Sequence, residues 1–184
     1  MPDKKTKTET SSQVLTDTTT KKPTAKKLKA KLSPFSWWGP TPEAKVIGFS
    51  GTRVGMTEYQ MELVENALKI LKPERVHHGD CMGSDADFHQ IANELNIPIT
   101  IHPPERDTLR AFCKSDEILK PKPYLDRNRD IVDNCDTLIA TPQTVKPVKR
   151  GSGTWHAIRY AKKQKKNIII VYPTLDSGVE VSYI

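Results

Sequence analysis

The 184-residue chain lacks long apolar runs, paired cysteines and an even spread of its positive charge. Its longest uninterrupted apolar stretch is Ile168–Tyr172, far short of the roughly 20 residues a membrane-crossing helix needs. No apolar segment follows the lysines near the N-terminus, so the sequence offers no secretory signal. Cys81, Cys113 and Cys135 are odd in number, widely spaced and without a Cys-x-x-Cys pair. That usage fits reduced thiols in a cytoplasmic compartment better than a disulfide framework or a zinc site. No His, Cys and carboxylate set has the chain spacing of metal ligands, so the sequence calls for no metal.

The formal charge of +7 is concentrated in one segment. Residues 1–40 hold nine lysines against Asp3, Glu9 and Asp17, a net +6, which leaves the rest of the chain at +1. A near-neutral domain argues against a nucleic-acid groove, and a lysine tail alone gives only weak, salt-sensitive attraction to polyanions. Residues 1 to about 33 are Lys, Thr, Ser and Ala with almost nothing large to bury, the composition of a disordered tail. Its lysine pairs also suit a nuclear-import patch if the host has a nucleus. Trp37 and Trp38, between turn residues, are expected to cap a domain edge or to meet a partner subunit. The expected division is therefore a tail, 1–40, and one domain, 41–184.

From Lys45 onward, buried strands alternate with amphipathic helices. Val46–Phe49 reads as the first strand, and 57–71 as a helix with Thr57 and Gln60 at capping-box spacing. Pro73 ends it. The second strand is Arg75–His78; a helix over 84–95 follows, with Ser84 as its expected N-cap. The third strand is 97–101, and 103–122 is a long connection of the kind that is often functional or mobile. A helix over 124–134, a fourth strand over 137–140, a helix over 154–166 and a fifth strand over 167–172 complete the series. Such repetition implies right-handed crossovers and a Rossmann-like, three-layer α/β/α fold around a parallel sheet, with strand order 3-2-1-4-5.

In that order the direction of winding reverses between the first and fourth strands, and ligands bind at the carboxyl ends of the strands there. The rule selects Ser50-Gly51-Thr52-Arg53 and the stretch from Thr141 to Gly151-Ser152-Gly153-Thr154. Beside them lies His78-Gly79-Asp80-Cys81-Met82-Gly83-Ser84-Asp85. Glycines allow close backbone approach, and a helix N-terminus offers unpaired N–H groups to an anion. Three loops with phosphate-compatible chemistry at one sheet edge point to a nucleotide or a nucleotide-derived ligand.

These loops, together with Arg127-Asn128-Arg129 and the 136–140 strand, resemble in order the superfamily named for Smf/DNA-processing protein A and Lonely Guy. The likeness covers roughly 45–173 and is nearest to small members with an H-G-x-x-x-G-x-D loop and an R-N-R helix start. It implies a Rossmann-like nucleotide-binding domain and suggests a homo-oligomer. The Lonely Guy enzymes hydrolyse the N-glycosidic bond of cytokinin riboside monophosphates with a glutamate in P-G-G-x-G-T-x-x-E. Ala157 stands at that position in this sequence.

The ligand-binding candidates are Ser50, Gly51, Thr52, Arg53, Gly79, Gly83, Ser84, Asn128, Arg129, Thr141, Gly151, Ser152, Gly153 and Thr154. Arg53 and Arg129 offer fixed cations for a phosphate. Asp85 reads equally as a ribose or acid/base group and as a first-turn aspartate on a helix dipole. Asp80 and His78 are further catalytic candidates, with turn-forming and packing roles as their alternatives. Trp155 suits base stacking and core packing alike. No cofactor is called for. The expected function is nucleotide binding as sensor, carrier or scaffold, with a nucleoside-monophosphate N-glycosidase and single-stranded nucleic-acid binding as alternatives.

Overall fold

The computed structural model describes residues 44–182. The lysine-rich tail and the Trp37-Trp38 stretch lie outside the described residues. Seven strands form one sheet: β1 (Val46–Gly51), β2 (Arg75–His78), β3 (Ile99–Ile101), β4 (Glu117–Ile118), β5 (Thr137–Thr141), β6 (Asn167–Val171) and β7 (Val179–Ser182). Their order across the sheet is β4-β3-β2-β1-β5-β6-β7. The five strands anticipated from sequence stand in the anticipated order, and all their mutual pairings are parallel. Two additions extend the edges. β4, inside the long connection, pairs parallel with β3, whereas β7 pairs antiparallel with β6 and makes the sheet mixed.

Among the described residues, four helices flank this sheet: α1 (Glu58–Leu71), α2 (Ser84–Glu94), α3 (Tyr124–Asp133) and α4 (Gly153–Lys163). Thr57 caps α1 as its spacing predicts: its hydroxyl accepts from the Gln60 N–H at 3.2 Å while the Gln60 carboxamide accepts from the Thr57 N–H at 3.1 Å. The same Gln60 is buried, and its Nε2 donates to the carbonyls of Pro142 at 3.2 Å and Val171 at 2.8 Å. One amide thus ties α1 to the carboxyl ends of β5 and β6. α2 departs from expectation. Its N-cap is Gly83, and Ser84 is its first residue.

Helices α1 and α2 pack together, as do α3 and α4. Strand alternation serves two cores. Leu138, Ala140, Ile168 and Ile170 face α3 and α4, where they meet Val132, Trp155, Ile158 and Ala161. Toward α2, the rings of Phe49 and Phe88 stack with centroids 4.1 Å apart. Both are fully buried, and truncating either to alanine is expected to cost about 3–5 kcal/mol. This double burial gives the central strands continuous apolar runs. It also leaves the polar loop tips as the surface where ligand chemistry is available.

Candidate functional site

The carboxyl end of β1 is held against β5 and the starts of α2 and α4 by close contacts that small residues permit. At Gly51 a Cβ would lie 2.2 Å from the Ser84 Cβ and 2.6 Å from the Thr141 hydroxyl. Ser84 does not cap its helix because its hydroxyl accepts from the Thr52 N–H at 3.1 Å, while its own N–H donates to the Thr52 carbonyl at 2.9 Å. From the other side, the Thr154 hydroxyl donates to the Gly51 carbonyl at 2.7 Å. Gly83 adopts φ +83°, and a Cβ there would come 2.4 Å from the Arg53 carbonyl oxygen. The loop after β1 is therefore clamped between the starts of α2 and α4.

This clamp forms one wall of a cleft of about 620 Å³, within the size range of small-molecule sites. Ser50, Gly51, Thr52, Arg53, Asp85, Asn128 and the Gly151–Thr154 turn all line it. Ten of the sequence candidates thus converge: those four, Asp85, Asn128 and the four residues of the turn.

At the floor lies Arg127, and the surrounding chain is shaped to admit it. A Cβ on Gly79 would fall 1.1 Å from Arg127 Nη1, so the guanidinium occupies the space a side chain would take. Arg127 Nη2 donates to the Cys81 sulfur at 2.8 Å, and Nη1 lies 3.8 Å from the Asp85 carboxylate. The residue is only 6 % exposed, yet its Nε has no hydrogen-bond partner among the described residues. Its Nε is sealed from solvent, and a buried cation beside a cleft is costly unless something anionic offsets its charge. Among the described residues Asp85 is the one carboxylate in the lining. Burial pushes its pKa up, against the pull of Arg127 and of the Cys81 N–H, which donates to it at 3.0 Å. Cys81, also in the lining, has its thiol pushed up to about 11 by burial.

The opposite wall is the N-terminus of α4. Ser152 caps it by accepting from the Trp155 N–H at 3.2 Å, and its first turn carries no acidic residue. The first N–H groups of a helix have no partner within it. Lys149 and Arg150 stand beside this terminus, and Arg159 holds their loop by donating to the carbonyls of Val148 at 2.7 Å and Lys149 at 3.2 Å. At the mouth, Arg53 lies over the Tyr124 ring, 5.6 Å from its centroid. His156 lines the cleft with a buried Nδ1 that lacks a partner among the described residues. Burial lowers its pKa, with Arg129 and Arg159 adding to the effect.

Other candidates are placed elsewhere. Asp80 turns away from the cleft. Its fully buried carboxylate accepts from Arg110 Nε at 2.8 Å and from the Cys113 N–H at 2.9 Å, which pins the 103–122 connection to the β2 loop. His78 is fully buried, 3.0 Å from His89. Arg129 is exposed, pairs with Asp126 at 3.1 Å and sits over Tyr160; Arg127, one helical position nearer the buried face, is the inward arginine. Thr141, Gly79, Gly83 and Ser84 lie behind the lining and shape it. Trp155 is buried in the core beside α3, with its Nε1 donating to the Thr144 hydroxyl at 3.2 Å, and leaves the cleft clear. The signal for Arg127 was present in the R-N-R start, since Ile131 and Val132 place 127 and 128 on the inner face.

Folding also gathers three groups far apart in sequence. Donor atoms of His78, His89 and Cys113 lie within 4.8 Å of one another. The hydrogen bonds there oppose a metal. The Asp80 N–H donates to His78 Nδ1 at 3.1 Å, so the neutral ring carries its proton on Nε2, the atom facing His89. An ion would have to displace that proton and strand the peptide donor.

The fold and cleft define a Rossmann-like α/β domain with an anion-favouring crevice at its topological switch point. No protein-family model and no curated protein sequence matches the chain. Solved structures with this fold include the molybdenum cofactor binding protein of the phototrophic bacterium Rippkaea orientalis, at 18 % identity and a TM-score of 0.56 over 74 % of this chain and 82 % of that one. The molybdenum cofactor carrier protein of Chlamydomonas reinhardtii is similar at 20 % identity and a TM-score of 0.50, over 68 % and 75 %. Among the described residues no helix is long and apolar enough to cross a membrane.

Proposed function

We propose that this chain is a small member of the Smf/DNA-processing protein A and Lonely Guy superfamily and binds a nucleotide or nucleotide-derived anion as a carrier or sensor. The observation that carries this reading is Arg127: a buried guanidinium on the cleft floor whose Nε has no partner among the described residues. The α4 N-terminus and the loop after β1 supply the rest of an anion cradle. Molybdenum cofactor binding and carrier proteins among the structural neighbours support a small, cofactor-like ligand. Native mass spectrometry of protein purified from cells tests the proposal, with Arg127→Gln as the comparison. A small anionic molecule released from the wild type and missing from the variant is expected. Equal retention by both would refute the assignment.

Asp85 favours a second reading, hydrolysis of a nucleoside 5′-monophosphate. Among the described residues it is the lone carboxyl in the lining, and burial raises its pKa, which favours a proton-carrying form. Ala157 is buried in the core, so a glutamate-driven reaction of the Lonely Guy type has no counterpart at that position. Release of free base from a panel of nucleoside monophosphates, lost in Asp85→Asn, would establish turnover; binding without release leaves the carrier reading.

A further inference from the structure

Resting on that proposed reading, we infer that the cleft is built for a ligand bearing two linked phosphates rather than one. The argument begins with charge. Five of the lining side chains are Arg or Lys, and one, Asp85, is acidic. A single phosphate ester carries about −1.5 to −2 at neutral pH, which leaves roughly half of the formal excess of +4 unmatched. A second phosphate matches it.

The cations also fall into two groups on different elements. Arg127 rises from α3 on the floor, its Nε without a partner among the described residues. Lys149 and Arg150 approach from the β5–α4 loop, next to the free N–H groups of the α4 terminus. Asn128 stands between, with its Nδ2 within 3.5 Å of the position a Cβ on Gly153 would take. One phosphate on Arg127 and a second on the helix terminus would use both groups at once. The buried arginine makes this more than a helix end that lacks acidic residues. It is an anchoring donor held in place by Gly79 and Cys81 before any ligand arrives.

The experiment compares inorganic phosphate with inorganic pyrophosphate by calorimetry at matched ionic strength, with citrate as a polyanion control. Pyrophosphate is expected to bind at least tenfold tighter than phosphate. Lys149→Gln combined with Arg150→Gln is expected to weaken pyrophosphate much more than phosphate, bringing that ratio close to one. Arg127→Gln is expected to weaken both anions, and circular dichroism identifies any variant that fails to fold. Equal affinity for phosphate and pyrophosphate, or citrate binding as tightly as pyrophosphate, overturns the two-phosphate assignment. The nucleotide reading fails separately, if AMP, ADP and ADP-ribose all leave the melting temperature unchanged.

Discussion

Substituting Gly79 by alanine should disable the cleft without replacing any residue that lines it. The new Cβ would sit 1.1 Å from Arg127 Nη1 and 2.0 Å from its Cζ, so the guanidinium must leave its slot. Gly79 does not have a positive φ, so alanine meets no backbone penalty there and the damage passes through Arg127 alone. Hydrogen bonds to charged groups contribute roughly 1.5–3 kcal/mol each, so loss of one from Arg127 to a bound anion weakens affinity about 10- to 150-fold. The assay is a double-mutant cycle with Arg127→Gln, read by calorimetric titration of pyrophosphate and by thermal melts. Glutamine is shorter and vacates the space, so the double variant should bind no worse than Arg127→Gln alone. Its melting temperature should recover what Gly79→Ala lost. A coupling on the order of 1–3 kcal/mol is expected for residues in such contact. Simple additivity of the two penalties, or wild-type binding by Gly79→Ala, would refute the account of why a glycine stands there.

Three other measurements probe different parts of the molecule. Asp85→Asn removes the only carboxylate that the described residues bring to the cleft and should tighten pyrophosphate binding by roughly three- to tenfold; unchanged affinity would mean that Asp85 does not bear on the site's charge. Burial holds His102 at about 4, with the facing His77 at 2.8 Å adding to the shift; Asp130 opposes it, while Arg127 and Lys122 reinforce it. The unfolded histidine accepts a proton near pH 6.5, which the folded one refuses until about pH 4. Its contribution is thus fully present above pH 6.5 and lost between 6.5 and 4, by at most about 3 kcal/mol. Urea midpoints at pH 7.5, 5.5 and 4.5 should fall in that order and do so less in His102→Gln; a flat profile would contradict the burial argument. Burial also pushes the Cys81 thiol up to about 11 and those of Cys113 and Cys135 up to about 12. At pH 7.5 they should react with a disulfide reagent about 300-fold or more slower than free cysteine, and rapidly in urea; fast labelling of the native protein would show otherwise.

What the sequence disclosed and what it withheld divide along a physical line. Strand runs such as Val46–Phe49 and Ile168–Tyr172, and the Thr57/Gln60 cap, are local signals, and the order of the five central strands followed from the crossover rule. β4 has two exposed residues and β7 only partly buried ones, so neither leaves a pattern of alternation to read. The loops that build the cleft were legible because glycine and hydroxyl residues cluster there. The role of Asp80 was not, since its partner Arg110 arrives from thirty residues downstream through an irregular connection. The choice between Arg127 and Arg129 turned on helical phase: two adjacent inward apolar residues, Ile131 and Val132, fix which arginine faces in.

Gln60 has a consequence for how such a domain changes its specificity. By tying down Pro142 it fixes one end of the segment that runs to the Ser152 cap, and the cap fixes the other. Everything between those two moorings is exposed or partly so, and it includes Lys149 and Arg150. Replacing or lengthening that span would alter what the crevice accepts while leaving the strands on either side undisturbed. It is the natural place to graft a new preference.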